Sequence, residues 1–180
     1  MKFSFSKKEL EVLLDNMVIV CDTAEKENSH IKEYFIRTKK RFVEKSLDFG
    51  DYSAFIESNE ETKALGIYKD LYLTEVVIER KANVNELVGN FAERNRIENE
   101  FKLCKYNDCK VRLIVEEVDG YKKMVKGDYK SKMKPKSLIA SLEAFADRYN
   151  ISVEFIDKEL AGMKIYTVLR YAIKNRLGEL

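Results

Sequence analysis

The sequence is poor in the residues that mark several classes of protein. Its 180 residues include one Pro and seven Gly, and no Pro-rich, Gly-rich or repeated stretch suggests a linker. No apolar run approaches the roughly 20 residues that a membrane-spanning helix requires. The single histidine, His30, argues against Ser-His-Asp or Cys-His catalysis. These absences favour a single domain over residues 1–180 that does not enter a membrane.

The cysteines and the N-terminal residues indicate the cellular compartment of the protein. Cys21, Cys104 and Cys109 are odd in number, and no further Cys or His pair completes a zinc site. The first 16 residues mix Lys and acidic residues with apolar ones and lack a small-residue cleavage site, so they do not resemble a signal peptide. The sequence therefore predicts a cytoplasmic protein whose thiols are structural.

The charge is balanced overall and uneven locally. With 33 Lys and Arg against 31 Asp and Glu, the net charge is only +2. Residues 121–136, however, hold seven Lys and one Asp. Such a cluster can contact a phosphate backbone, but it is also typical of a solvated loop. Charge alone leaves both interpretations open.

Apolar periodicity predicts strands that alternate with helices. Short apolar or alternating runs predict strands at 17–21, within 45–57, and at 71–81, 110–118 and 151–156. Helical spacing and capping residues predict helices at 30–42, 83–106, 137–149 and 159–177. This order favours an α/β domain with a central mixed sheet flanked by helices.

The residues with the clearest chemical meaning end the strand at 71–81. Glu79 and Lys81 lie on one face of a strand, about 7 Å apart along it. Carboxylates bind hard divalent cations, which promote phosphodiester hydrolysis, and a nearby Lys stabilises the developing charge. Asp51, after Gly50, is the expected second metal ligand and Asp22 the third. The alternative is an ordinary salt bridge on an edge strand, because E-x-K is common by chance.

Three short motifs carry a family resemblance. In order, the chain reads Asp22-Thr23-Ala24-Glu25, Gly50-Asp51-Tyr52 and Glu79-Arg80-Lys81. From about residue 17 to about residue 175 it resembles the XPF/ERCC4-type nucleases, a branch of the PD-(D/E)xK superfamily. The stand-alone members from phages and Gram-positive bacteria are the most similar. The resemblance implies a restriction-endonuclease-like core.

The resemblance also implies roles for individual residues. Mg²⁺ or Mn²⁺ would be held by Asp22, Asp51 and Glu79. Lys81 would be the catalytic lysine, and Arg80 a structural or phosphate-facing member of the site. Glu25 matches the acidic end of the first motif. The segment Tyr129-Lys130-Ser131-Lys132 would supply DNA contacts through Tyr129, Lys130 and Lys132.

The function expected from this resemblance is metal-dependent endonucleolytic cleavage of branched DNA, such as flaps, forks or Holliday junctions, in recombination, replication or repair. Two positions depart from the family pattern: Ala24 replaces an Arg, and Asn85 replaces an Asp. We expect no helix-hairpin-helix module in this sequence, and therefore expect DNA affinity to come from this domain, a homodimer or a partner protein. The alternative is a DNA-binding accessory module that keeps the fold but has lost activity through Ala24.

Overall fold

A computed structural model describes residues 4–92 and 94–179. The helices are α1 (Lys7–Asp15), α2 (Ser29–Arg37), α3 (Glu60–Ala64), α4 (Val84–Ala92), α5 (Arg94–Tyr106), α6 (Gly120–Lys126), α7 (Pro135–Tyr149) and α8 (Ala161–Glu179). The strands are β1 (Met17–Cys21), β2 (Phe42–Glu44), β3 (Tyr52–Ile56), β4 (Leu71–Tyr72), β5 (Val76–Lys81), β6 (Lys110–Val115) and β7 (Ser152–Phe155). A 3₁₀ turn at Lys158–Leu160 precedes α8.

The described residues group into two compact units. The first contains the residues up to Leu47, Tyr52–Val76, and those from Gly162 onward. The second contains Asp48–Asp51 and Val77–Ala161. One domain over residues 1–180 therefore stays a prediction from length and composition.

In the first unit, β1 lies between two partner strands. It pairs in parallel with β2 (Ile19 opposite Phe42) and antiparallel with β3 (Ile19 opposite Ala54). The five residues of β1 and of β3 are all buried, as expected for apolar runs covered on both faces. β4 adds to β3 in antiparallel orientation. The C-terminal end of β1 leads directly into Asp22.

In the second unit, the strand order is β5–β6–β7, and β6 and β7 are parallel. Aromatic side chains from α4, α5 and α7 pack together beside these strands, with ring centroids 5.4 to 6.1 Å apart for Phe91, Phe101, Phe145 and Tyr149. Burial of such large rings dominates the energetics of a core. This packing fixes β5, whose last three residues are the Glu-Arg-Lys motif.

The predicted α/β class with a mixed sheet is confirmed, because the seven strands include both parallel and antiparallel pairs and alternate with helices. The predicted helix at 30–42 was too long. It ends at Arg37, Lys39 adopts a positive φ of 54°, and Phe42–Glu44 forms β2 instead. Pairing with the buried strand β1 outweighs the helical spacing of these residues.

Two further predictions differ in detail. The helix predicted at 83–106 is described as α4 and α5, on either side of residue 93, which lies outside the described residues. The Lys-rich segment contains a helix, α6, that the sequence did not predict. Only Gly120 and Met124 of α6 are buried, so its apolar stripe is too narrow to give a periodic signal.

The three thiols are free and buried. Burial raises the pKa of Cys21 and of Cys104 to about 12, so both stay protonated at neutral pH. Across residues 4–92 and 94–179, none of the helices combines the length and apolar character needed to cross a membrane.

Candidate active site

The Glu-Arg-Lys motif at the end of β5 is buried. Glu79, Arg80 and Lys81 are 7%, 2% and 6% exposed, which is unusual for three consecutive charged residues. Strand alternation places Glu79 and Lys81 on one face, and the Lys81 Nζ donates to Glu79 Oε1 at 2.5 Å. The two side chains that the sequence predicted to share a face are therefore in direct contact.

Asp51 joins these two residues through the backbone of β5. Its N–H donates to the Ile78 carbonyl at 2.8 Å, and its Oδ2 accepts the Arg80 N–H at 2.7 Å. Gly50 makes this approach possible, since it has a φ of +71° and lies against Val77 and Ile78. The Gly50-Asp51 pair thus places a carboxylate beside the last residues of the strand, as the sequence predicted.

The electrostatics of this cluster favour a cation. Burial raises the pKa of Glu79 to about 8, the negative charge of Asp51 adds to the rise, and the Lys81 ammonium opposes it. Burial lowers the pKa of Lys81, but the carboxylates of Glu79 and Asp51 raise it to above its ordinary value. Two acidic side chains that repel each other in a low-dielectric site are stabilised by any positive charge that enters.

The donor set fits Mg²⁺ or Mn²⁺. Asp51 and Glu79 offer carboxylate oxygens, and Mg²⁺ is often held by one or two carboxylates together with water and substrate phosphate. Among the described residues, no group of three His, Cys, Asp or Glu side chains is arranged to hold a metal ion. The pair of Asp51 and Glu79 is therefore the candidate ligand set, completed by water or by the substrate.

Asp22, predicted as a third ligand, has local backbone partners. Its Oδ1 accepts the Leu47 N–H at 2.8 Å and its Oδ2 accepts the Ala24 N–H at 3.0 Å, so the carboxylate organises the loop that leaves β1. Glu25 accepts the Glu27 N–H at 3.2 Å in the same loop. A role in metal binding for Asp22, and in catalysis for Glu25, stays a prediction.

The Arg80 side chain contacts Glu116, and its structural or phosphate-facing role in the site stays a prediction. Its guanidinium donates from Nε and Nη2 to the two carboxylate oxygens of Glu116, at 2.8 and 2.7 Å, and both side chains are buried. Sequence reasoning did not single out Glu116. A signal was present, because Glu116 follows the buried strand Lys110–Val115 just as the charged motif ends β5.

Glu100 is a second residue that sequence reasoning missed. It lies on α5, its carboxylate accepts the Gly50 N–H at 3.4 Å, and its charge contributes to the raised pKa of Glu79. Nothing in the sequence marks it, because it is one of two acidic residues on a helix rich in charged and polar residues.

The segment predicted to contact DNA forms an ordered turn between α6 and α7. The Tyr129 hydroxyl donates to the Met133 carbonyl at 2.8 Å, and the Lys130 N–H donates to Asn85 Oδ1 at 2.6 Å. The Lys130 and Lys132 side chains are exposed. Asn85 lies on α4, four residues after Lys81, so this bond ties the Lys-rich turn to the helix that follows the charged motif. DNA contact by the turn stays a prediction.

We expect Asn85→Ala to weaken DNA binding about 3- to 10-fold, the effect of losing one hydrogen bond of about 1 kcal/mol that orders the turn. The dissociation constant is measured by fluorescence anisotropy on labelled DNA at fixed salt. Asn90→Ala, the same substitution on the same helix, is the matched control and should leave the affinity unchanged. Equal affinities for both variants and the wild type would show that the Asn85 contact does not order a DNA-binding turn.

The chain is similar to one known domain family and to solved structures. The ERCC4 domain family matches residues 21–167. Two solved structures of XPF from Aeropyrum pernix are similar to the chain, the second in complex with DNA. The first has a TM-score of 0.61 at 18% identity and the second 0.60 at 19%. The alignments cover 87% and 88% of this chain but only 65% and 66% of XPF, so the chain spans less than two thirds of those proteins. No curated protein sequence matches.

Proposed function

The chain belongs to the ERCC4 domain family, and on that premise we propose that it is a divalent-metal-dependent endodeoxyribonuclease that cuts branched DNA. The observation that carries the proposal is the meeting of Asp51, Glu79 and Lys81 at the buried end of β5. Charged groups are costly to bury, and buried groups with strongly shifted pKa values occur preferentially at functional sites. One similar structure, XPF from Aeropyrum pernix, was solved in complex with DNA, which supports DNA as the substrate.

Each residue of the cluster has a distinct task in this proposal. Asp51 and Glu79 would hold Mg²⁺ or Mn²⁺, and the bound ion would supply polarisation of the scissile phosphate and a lower pKa of water. The Arg80 N–H fixes the orientation of the Asp51 carboxylate before the cation arrives. Lys81 places an ammonium beside Glu79, where it neutralises charge that develops on the phosphate. The burial of the cluster strengthens these interactions because it lowers the local dielectric.

The Lys-rich segment is the part of this chain proposed to contact the DNA backbone. Exposed Lys side chains on α6 and on the following turn (Lys122, Lys126, Lys130, Lys132) provide positive charge without base-specific geometry. Such contacts set affinity and position rather than sequence preference. The proposed preference for branched over duplex DNA rests on the family resemblance alone.

A second candidate function is a DNA-binding accessory module without cleavage activity. The observation that favours it is Ala24, an exposed residue where the family pattern has Arg. A guanidinium near a phosphate contributes bidentate hydrogen bonds that Ala cannot make. The intact Asp51, Glu79 and Lys81 weigh against it.

The proposal is tested by cleavage of labelled duplex, flap, fork and four-way-junction DNA in Mg²⁺, Mn²⁺ or EDTA. We expect metal-dependent cutting that favours one branched substrate and is absent in EDTA. Cutting of duplex and branched DNA at equal rates would retain the nuclease and remove the branched preference. Salt-dependent binding with no cutting in either metal would select the accessory module.

We expect Ala24→Arg to raise the cleavage rate about tenfold or more, the effect of one charge-assisted hydrogen bond. Because Ala24 is exposed, the longer side chain requires no repacking. Rates are measured at saturating metal on the preferred substrate. Thr23→Arg adds the same charge at the adjacent exposed position and serves as the control. A rate that is unchanged by Ala24→Arg, or raised equally by both variants, would show that the site does not need a guanidinium at position 24.

A further inference from the structure

A buried ion pair lies behind the candidate active site. Strand alternation directs the Arg80 side chain to the face of β5 opposite Glu79 and Lys81. There its guanidinium forms a two-pronged contact with the Glu116 carboxylate, and the two side chains are only 2% and 0% exposed. Arg80 is the largest side chain among the fully buried residues of the described chain.

The stability of the fold does not explain why this pair is charged. Removing two charges from water is costly, and a well-packed apolar pair of similar volume is often as stable as a buried ion pair or more stable. A bidentate Arg–carboxylate contact differs from an apolar pair in its geometry, since it fixes both groups in one plane and at one distance. The pair is therefore suited to hold its strands in a defined position.

The backbone of Arg80 links that position to the active site. The Arg80 N–H donates to Asp51 Oδ2 at 2.7 Å. The Glu116 N–H donates to the Lys81 carbonyl at 2.9 Å. The Arg80 N–H is thus bonded to Asp51 and the next residue's carbonyl to Glu116, and the side-chain pair connects the end of β5 to Glu116 a second time.

We infer that Glu116 is a positioning residue of the active site. Because it accepts two hydrogen bonds from the Arg80 guanidinium, Glu116 fixes the position of the Arg80 backbone N–H. That N–H orients the Asp51 carboxylate for the metal ion. Glu116 touches neither substrate nor metal in this arrangement. The part of the inference that concerns the metal rests on the proposed function, whereas the part that concerns the Arg80 N–H does not.

Two variants separate positioning from stability. Glu116→Gln keeps the shape and one acceptor oxygen but removes the charge. Arg80→Met combined with Glu116→Leu replaces the ion pair by an apolar pair. This double variant is expected to fold even if Glu116→Gln alone does not, so the readouts can still be measured. Glu154→Gln is the matched control, because Glu154 pairs with Arg112 between β6 and β7, away from the charged motif. Urea unfolding gives the free energy of unfolding of each variant, so that the exchange rates and metal affinities can be compared with differences in global stability taken into account.

The first readout is the hydrogen-exchange rate of the Arg80 amide in the metal-free protein, measured by NMR. We expect exchange at least 10-fold faster in the double variant than in the wild type, after correction for global stability, and unchanged exchange in Glu154→Gln. An Arg80 amide as protected in the double variant as in the wild type would overturn the inference.

The second readout is Mn²⁺ affinity, measured by calorimetry without DNA. We expect a loss of about 10- to 100-fold in both Glu116 variants, the range typical of groups that orient metal ligands. Wild-type affinity in the double variant would show that the pair serves the fold alone. If the wild-type protein itself binds no Mn²⁺, the proposed function fails, and the exchange rate still decides whether Glu116 positions the Arg80 N–H.

Discussion

Glu79→Gln is expected to lower the metal-dependent cleavage rate by more than about 100-fold, because substitutions that act only indirectly on metal ligands already cost 10- to 100-fold. The amide of Gln has the shape of the carboxylate but offers one neutral oxygen in place of two charged ones. A weaker Mn²⁺ affinity should accompany the loss of rate. Single-turnover cleavage at several Mn²⁺ concentrations separates the two effects.

Gln is a better choice than Ala for this test because Glu79 is buried. At an exposed strand end, the substitution of Glu by Ala would remove the carboxylate and leave the fold intact. With Glu79 7% exposed and bonded to Lys81, Ala would instead leave a buried ammonium without its nearest partner. That loss costs about 3–5 kcal/mol in buried pairs.

A matched control distinguishes metal binding from the loss of a partner for Lys81. Glu86 also lies near the Lys81 ammonium, at 3.8 Å, but its carboxylate is largely exposed. Glu86→Gln therefore changes the charge beside Lys81 without removing a candidate metal ligand. We expect its rate to stay within about threefold of the wild type, because solvent screens the charge of the exposed Glu86 carboxylate. Equal losses in the two Gln variants would remove Glu79 from the proposed ligand set.

The predictable part of the site is the part that depends on local rules. Strand alternation is independent of tertiary structure, so the shared face of Glu79 and Lys81 followed from their spacing. The Gly-Asp pair lies beside β5, where the Asp51 N–H donates to the Ile78 carbonyl and the Asp51 carboxylate accepts the Arg80 N–H. These contacts join neighbouring segments, so predicting them required only the correct pairing of those segments.

The unpredictable part depends on which residues meet across the sheet. Glu116, which follows β6, and Glu100 on α5 both lie near the charged motif, and no sequence spacing encodes that meeting. The burial of Arg80 was not expected either, because a charged residue at a strand end is usually read as facing solvent or substrate. The helix predicted through residue 42 failed for the same reason, since pairing with β1 decides the conformation of Phe42–Glu44.

Gly50 is the position where local geometry most directly controls the site. Gly50→Ala is expected to lower the free energy of unfolding by about 2–4 kcal/mol, from the positive φ and from overpacking together. A Cβ at this position would lie 2.3 Å from Val77 Cγ2 and 3.1 Å from the Ile78 carbonyl oxygen. The added methyl group therefore pushes the turn away from β5, and Asp51 moves with it. The cleavage rate of Gly50→Ala should therefore fall by more than the decrease in the folded fraction of the protein explains.

The chain supplies its own control for this substitution, with the opposite expected sign. Gly89 lies within α4, and a Cβ there would meet nothing within 4 Å. Gly89→Ala should raise the free energy of unfolding by about 0.5–1 kcal/mol, because Ala loses less conformational freedom in a helix. Urea unfolding of both variants gives the two changes on one scale. If Gly50→Ala were as stable as Gly89→Ala, the close approach of Gly50 to β5 could not be what holds Asp51 beside Glu79, and the Gly-Asp motif would need another explanation.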